Sequence, residues 1–108
     1  MSAIKHFKAI VDIGERIKEI DVSIYEHHYY PIVFGSWTLI VGKRKERTKF
    51  DWDGRDGYLQ YSEASFPDSS YSNSNVEWTH IKNEGVNYDD PVSVYERIKK
   101  YLLTKYCV

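Results

Sequence analysis

The stretch Thr48–Tyr61, T-K-F-D-W-D-G-R-D-G-Y-L-Q-Y, constrains the fold of this chain more than any other. Two aromatic-rich segments of alternating character flank a break made of Gly and Asp. Alternation of apolar and polar side chains marks a half-buried strand. Asp-Gly pairs between two such runs favour a tight hairpin connection. Antiparallel sheet is therefore written into the middle of the chain, with Thr48, Phe50 and Trp52 on one face and Arg47, Lys49 and Asp51 on the other. The hairpin tip is acidic and carries one arginine.

The flanking segments supply helices and further strands. Ile10, Ile13, Ile17, Ile20 and Ile24 recur at three- and four-residue steps with Phe7 ahead of them, predicting an amphipathic helix that starts after Ser2 as N-cap. It is expected to end near Glu19–Val22, where Asp21-Val22-Ser23-Ile24-Tyr25 turns β-branched; whether residues 22–30 form a strand stays open. Gly14 costs such a helix about 1 kcal/mol relative to alanine, which close packing against a sheet would offset. Pro31 interrupts, and Ile32–Val41 reads as a largely buried strand. Arg47–Asp53, Tyr58–Ser62 and Val76–Lys82 read as further strands, with an exposed Ser- and Asn-rich loop over Phe66–Asn75. Asp90 as N-cap, Pro91 at the first helical position, and Val94, Ile98 and Leu102 at four-residue steps predict a closing helix.

These elements predict an α+β two-layer sandwich, α-β(4-5)-α. The N- and C-terminal helices pack on one face of a four- to five-stranded, mainly antiparallel sheet. The order is similar to that of frataxin-like domains and some small immunity proteins, a likeness of element order that implies nothing about activity.

At 108 residues the chain, 1–108, is expected to form a single domain. No apolar run approaches the ~20 residues of a membrane helix. The first residues lack the long apolar stretch of a signal peptide, and the one cysteine, Cys107, fits a reducing compartment, so the expected location is cytoplasmic. The formal net charge of −1 conceals an uneven distribution. Lys43–Lys49 is basic, acids dominate from Phe50 to Glu96, and the last residues are basic again.

Several chemistries lack their residues. Asp51, Asp53, Arg55 and Asp56 fail the ligand spacing of a calcium loop, which wants Gly at the sixth position and Glu at the twelfth. Gly35-Ser36-Trp37 lacks the second glycine of a nucleophile elbow, and neither phosphate-binding glycine pattern occurs. No catalytic residue, metal or cofactor is assigned. His27 and His28, if on a strand, point to opposite faces and cannot share one ion. His80, two residues from Trp78, reads as a partly buried strand position. A small metal-binding protein or enzyme using His27, His28, His80 and carboxylates is one alternative. A single-stranded nucleic-acid binder using Lys43–Lys49 with Phe50, Trp52 and Tyr58 is another, opposed by the repulsion between a polyanion and Asp51, Asp53 and Asp56.

Ten tyrosines remain to be accounted for. Trp37, Trp78, Phe50 and Tyr101 fall on apolar faces, whereas Tyr29, Tyr30, Tyr58, Tyr71 and Tyr88 fall in turns or polar contexts. Tyrosine, tryptophan and arginine are the residues that anchor protein interfaces. The leading expectation is a non-enzymatic protein-binding module whose partner has a basic surface. Its contact residues are Asp53, Arg55, Asp56 and Tyr58 of the hairpin with Asp68 and Tyr71 of the Ser-rich loop. An immunity or antitoxin protein that covers a nuclease toxin is one form of it, because a phosphate-binding site is basic and an acidic plug complements it.

Overall fold

Each strand pairs antiparallel with the strand next to it in sequence, so the sheet is a five-stranded meander. Its strands are β1 (Ser23–Tyr30), β2 (Ser36–Lys43), β3 (Glu46–Asp53), β4 (Tyr58–Ser65) and β5 (Thr79–Gly85). Helices α1 (Ala3–Lys18) and α2 (Val92–Tyr106) precede and follow it. The structure is a computed structural model that describes residues 3–65, 77–86 and 92–106. The expected α+β arrangement, with a helix at each end of an antiparallel sheet, is what forms. Among the described residues no helix is long and apolar enough to cross a membrane.

Period-two alternation decides which face of the sheet the helices cover. Leu39, Val41, Phe50, Leu59 and Tyr61 are buried on one face. Against them pack Ile10, Ile13 and Ile17 of α1 and Val94, Ile98 and Leu102 of α2. The register pairs Trp37 with Trp52 and Leu39 with Phe50, so apolar side chains of neighbouring strands align in rows. Helix α1 lies towards β1 and β2, where His6 meets Tyr29 and Trp37. Helix α2 lies towards β3 and β4, where the Tyr101 hydroxyl donates to Glu63 at 2.9 Å and the Tyr106 hydroxyl meets that of Thr48 at 2.9 Å.

Helix α1 stops earlier than the isoleucine pattern suggests, and the stop is chemical. Asp21 takes φ of 60°, the Val22 N–H donates to the Ile17 carbonyl at 3.1 Å, and the Asp21 N–H donates to Lys18 at 3.1 Å. These bonds form a Schellman cap, with Val22 and Ile17 both buried in the core. An aspartate in the left-handed region bears a steric cost that glycine avoids. Asp21→Gly should therefore raise the unfolding free energy by about 0.5–1 kcal/mol, read as a shifted urea midpoint with unchanged slope. Beyond the cap, Ile24 reaches back to Gly14, where an added Cβ would lie 3.1 Å from its Cδ1. A register shift between Ile24 and Glu26 marks a bulge at Tyr25.

The other sheet face differs from the sequence expectation at Arg47. Alternation puts Arg47 on that face, yet it is fully buried. Its guanidinium stacks 3.8 Å from the Tyr25 ring centroid and donates to the main-chain carbonyls of Arg44 and Glu46. Gly42, its cross-strand partner, admits this packing: a Cβ there would stand 2.2 Å from the Glu46 carbonyl oxygen.

Four further boundaries and placements move. Strand β2 begins at Ser36, not Ile32, and Ile32, Val33 and Phe34 are exposed instead of buried. Strand β5 covers Thr79–Gly85 instead of Val76–Lys82. Trp78 is half-buried beneath the Lys49 ammonium, 4.5 Å from its ring, instead of in the core. His80 is exposed and bonds to Asn83 at 2.8 Å. Ser2, the loop Phe66–Asn75 with Asp68 and Tyr71, Tyr88, Asp90, Pro91 and Cys107 lie outside the described residues.

Candidate functional site at the hairpin end of the sheet

A meander delivers alternate turns to the same end of a sheet. The β1–β2 and β3–β4 turns accordingly emerge together, and they touch. The Gly54 N–H donates to the Ser36 hydroxyl oxygen at 3.0 Å. A Cβ on Gly54 would stand 2.1 Å from the Phe34 carbonyl oxygen, so only glycine permits this approach. The Arg55 guanidinium lies 5.9 Å from the Phe34 ring centroid, within cation–π range.

The β3–β4 tip is built as its Asp-Gly composition implies. The Asp53 carboxylate accepts from the backbone N–H groups of Arg55 at 2.9 Å and Asp56 at 3.1 Å. Gly57 closes the turn at φ of 72°, its N–H donating to the Asp53 carbonyl at 2.9 Å. Asp53 therefore holds the loop, while Arg55, Asp56 and Tyr58 project from it as exposed side chains. The expected contact residues of the hairpin are thus together at one tip.

The β1–β2 tip is the part sequence reading missed. Tyr30, Ile32, Val33 and Phe34 are 45%, 95%, 54% and 67% exposed. Phe34 and Gly35 both take positive φ, 55° and 70°, and the Ser36 N–H donates to the Val33 carbonyl at 2.9 Å. Glycine suits such a position; a bulky aromatic does not, and its presence marks strain. Pro31 and Gly35 bracketing a three-residue apolar run were the available signal of a turn.

A concavity lies on each side of this tip. On the helix side a cavity of about 430 Å³ is lined by aromatic residues including His6, Tyr29, Trp37, Trp52 and Tyr95. On the open sheet face a shallower groove of about 620 Å³ is lined by Tyr30, Phe34, Asp51, Arg55, Tyr58 and Gln60 among others. Asp51 accepts from the Thr38 hydroxyl at 2.6 Å on that face. Around the groove the carboxylates of Asp51, Asp53 and Asp56 face a single guanidinium, so this end is acidic.

His6, which the sequence left without a role, is the most altered titrating group here. It is buried beneath α1, its Nδ1 bonded to the Tyr95 hydroxyl at 2.8 Å and its Nε2 to His27 Nε2 at 2.8 Å. Burial, and then the charge His27 would carry, push its pKa down to about 4. Burial and then His28 lower His27 likewise. Burial raises Tyr95 to about 12.

His27 and His28 do face opposite ways: His27 turns in to His6, while His28 pairs with Glu26 at 2.5 Å. His80 sits on β5, at the opposite edge of the sheet from β1. Among the described residues no three of His, Cys, Asp and Glu gather as ligands for a metal. The basic turn between β2 and β3 lies at the far end of the sheet from Tyr58, and Phe50 and Trp52 are buried in the core. A comparison with protein-family models finds no match, and comparisons with curated proteins and with solved structures find none either.

Proposed function

We propose that this protein is a non-enzymatic binding module that engages a basic partner protein through the paired tips of β1–β2 and β3–β4. The carrying observation is Phe34, a bulky residue held at positive φ of 55° with 67% of its surface exposed. Backbone strain of this kind costs on the order of 1 kcal/mol. Burial of the side chain does not repay that cost within the chain, so a contact outside it is the natural beneficiary. Ile32 and Val33 beside it form an apolar knob, while Asp51, Asp53 and Asp56 give the charge that steers a basic partner into place. An inhibitor that plugs the phosphate-binding cleft of a nuclease toxin, as an immunity or antitoxin protein does, fits both properties.

Affinity capture with the full chain tests this. The unaltered protein should retain a basic protein whose recovery falls with added salt. Phe34→Asp should abolish retention while leaving the fold intact, since a mostly exposed side chain is exchanged. For a nuclease partner, addition of the chain should silence cleavage. Capture unaffected by Phe34→Asp and by salt would sink the assignment.

A further inference from the structure

Strand β1 ends the sheet, and among the described residues no strand pairs with its outer edge. An open edge is a template for another strand, and proteins commonly blunt it with lysine, proline or charge. The opposite edge, β5, carries Lys82 and Glu84 and is exposed along nearly all its length. Strand β1, S-I-Y-E-H-H-Y-Y, holds neither lysine nor proline, and its carboxylate, Glu26, lies against His28 of the same strand. Beside it, α1 carries a second apolar face that its own core does not use. Ile4, Phe7 and Val11 are 68%, 48% and 59% exposed and recur at the three- and four-residue steps of one helical stripe. Phe7 leans over β1, its ring centroid 5.8 Å from that of His27 and 5.6 Å from that of Tyr29. The stripe and the open edge therefore form one continuous surface.

We propose that this surface binds a second copy of the chain, β1 against β1 in antiparallel register about a two-fold axis at His27. Three features are self-complementary about that axis. An antiparallel pair centred on His27 sets Glu26 opposite His28 of the second copy, and His28 opposite its Glu26. Within one chain these two side chains already lie on one face, bonded at 2.5 Å. Phe7, set edge-on to the His27 ring, meets its own counterpart. Ile4 and Val11, to either side of Phe7 on α1, exchange places across the axis, so apolar meets apolar. Such isologous matching is what a two-fold interface requires, and it joins two sheets into one. The turns that carry Phe34 and Arg55 follow the Tyr30 end of β1 and so point to opposite ends of the dimer, beyond the paired strands, with Tyr30 at the boundary. Dimerisation and tip binding are consequently separable.

Light scattering coupled to size exclusion, on the full chain at micromolar concentration, should give about twice the 12.8 kDa chain mass. Val11→Glu places a carboxylate in the apolar contact and should weaken the dimer about a hundredfold or more without lowering thermal stability of the monomer. In a Cys107→Ser background, Phe7→Cys should form a disulfide-linked dimer on mild oxidation, whereas Lys100→Cys on exposed α2 should not. A monomeric mass for the unaltered chain overturns the proposal. So does a dimer that survives Val11→Glu, or one cross-linked as readily through Lys100→Cys.

Discussion

Acidification from neutral pH to about 4 should lower the unfolding free energy by about 3 kcal/mol through His6 alone. Its pKa falls from 6.5 to about 4 on folding, and each unit of depression is worth about 1.36 kcal/mol. The direction follows from proton uptake. Between those two values the unfolded chain takes a proton that the folded chain refuses, so stability present above pH 6.5 is lost progressively and levels off near 4. His27 shifts the same way and adds to the loss. The physical cause lies in the geometry: the two Nε2 atoms are 2.8 Å apart, and full protonation of both rings would set two N–H donors head to head. The groups that face the ring from the neighbouring elements are Tyr29 of β1 and Tyr95 of α2, with Phe7 and Trp37 offering only rings. Glu63, which burial raises but Lys105 and Tyr101 hold below its ordinary 4.5 on balance, adds its own acid loss only as pH falls through 4.5 and is separable above it. Urea midpoints across the window measure the slope. His6→Phe keeps a ring in place and should flatten the profile between about pH 6.5 and 5; an unaltered slope would remove His6 from the explanation.

Gly54→Ala should cost about 1–3 kcal/mol of stability and disable tip binding together. Its new Cβ would meet a main-chain oxygen, that of Phe34, at 2.1 Å, and backbone cannot rotate aside as a flexible side chain does. The two tips must part, breaking the Gly54 to Ser36 hydrogen bond and drawing Arg55 off the Phe34 ring. Gly85→Ala is the matched control. An added Cβ there meets nothing within 4 Å, so its effect should stay within about 0.5 kcal/mol. Chemical denaturation gives the stability difference, and partner capture gives the loss of function. Equal behaviour of the two variants would show that the tips do not depend on this contact.

Local periodicity carried most of the fold. The alternation in Thr48–Trp52 placed Phe50 and Trp52 in the core, and the four-residue steps of Val94, Ile98 and Leu102 gave the buried face of α2. The Asp-Gly tip was legible because its turn is closed by its own residues: Asp53 caps Arg55 and Asp56. Arg55, Asp56 and Tyr58 stand exposed on the tip for the same reason. The Pro31–Gly35 turn was misread because Ile32, Val33 and Phe34 are β-formers by type. Only their position outside the β1–β2 ladder shows that they project into solvent.

The sequence by itself determined the antiparallel meander, the covered face and the acidic hairpin tip. Each depends on side-chain period or turn chemistry within a few residues. The tertiary structure alone decided that Phe34 lies against Gly54, that His6 meets His27 and Tyr95, 21 and 89 residues away, and that Arg47 is buried under Tyr25. Those contacts depend on strand register and helix docking, which join residues distant in the chain through geometry that no local pattern encodes.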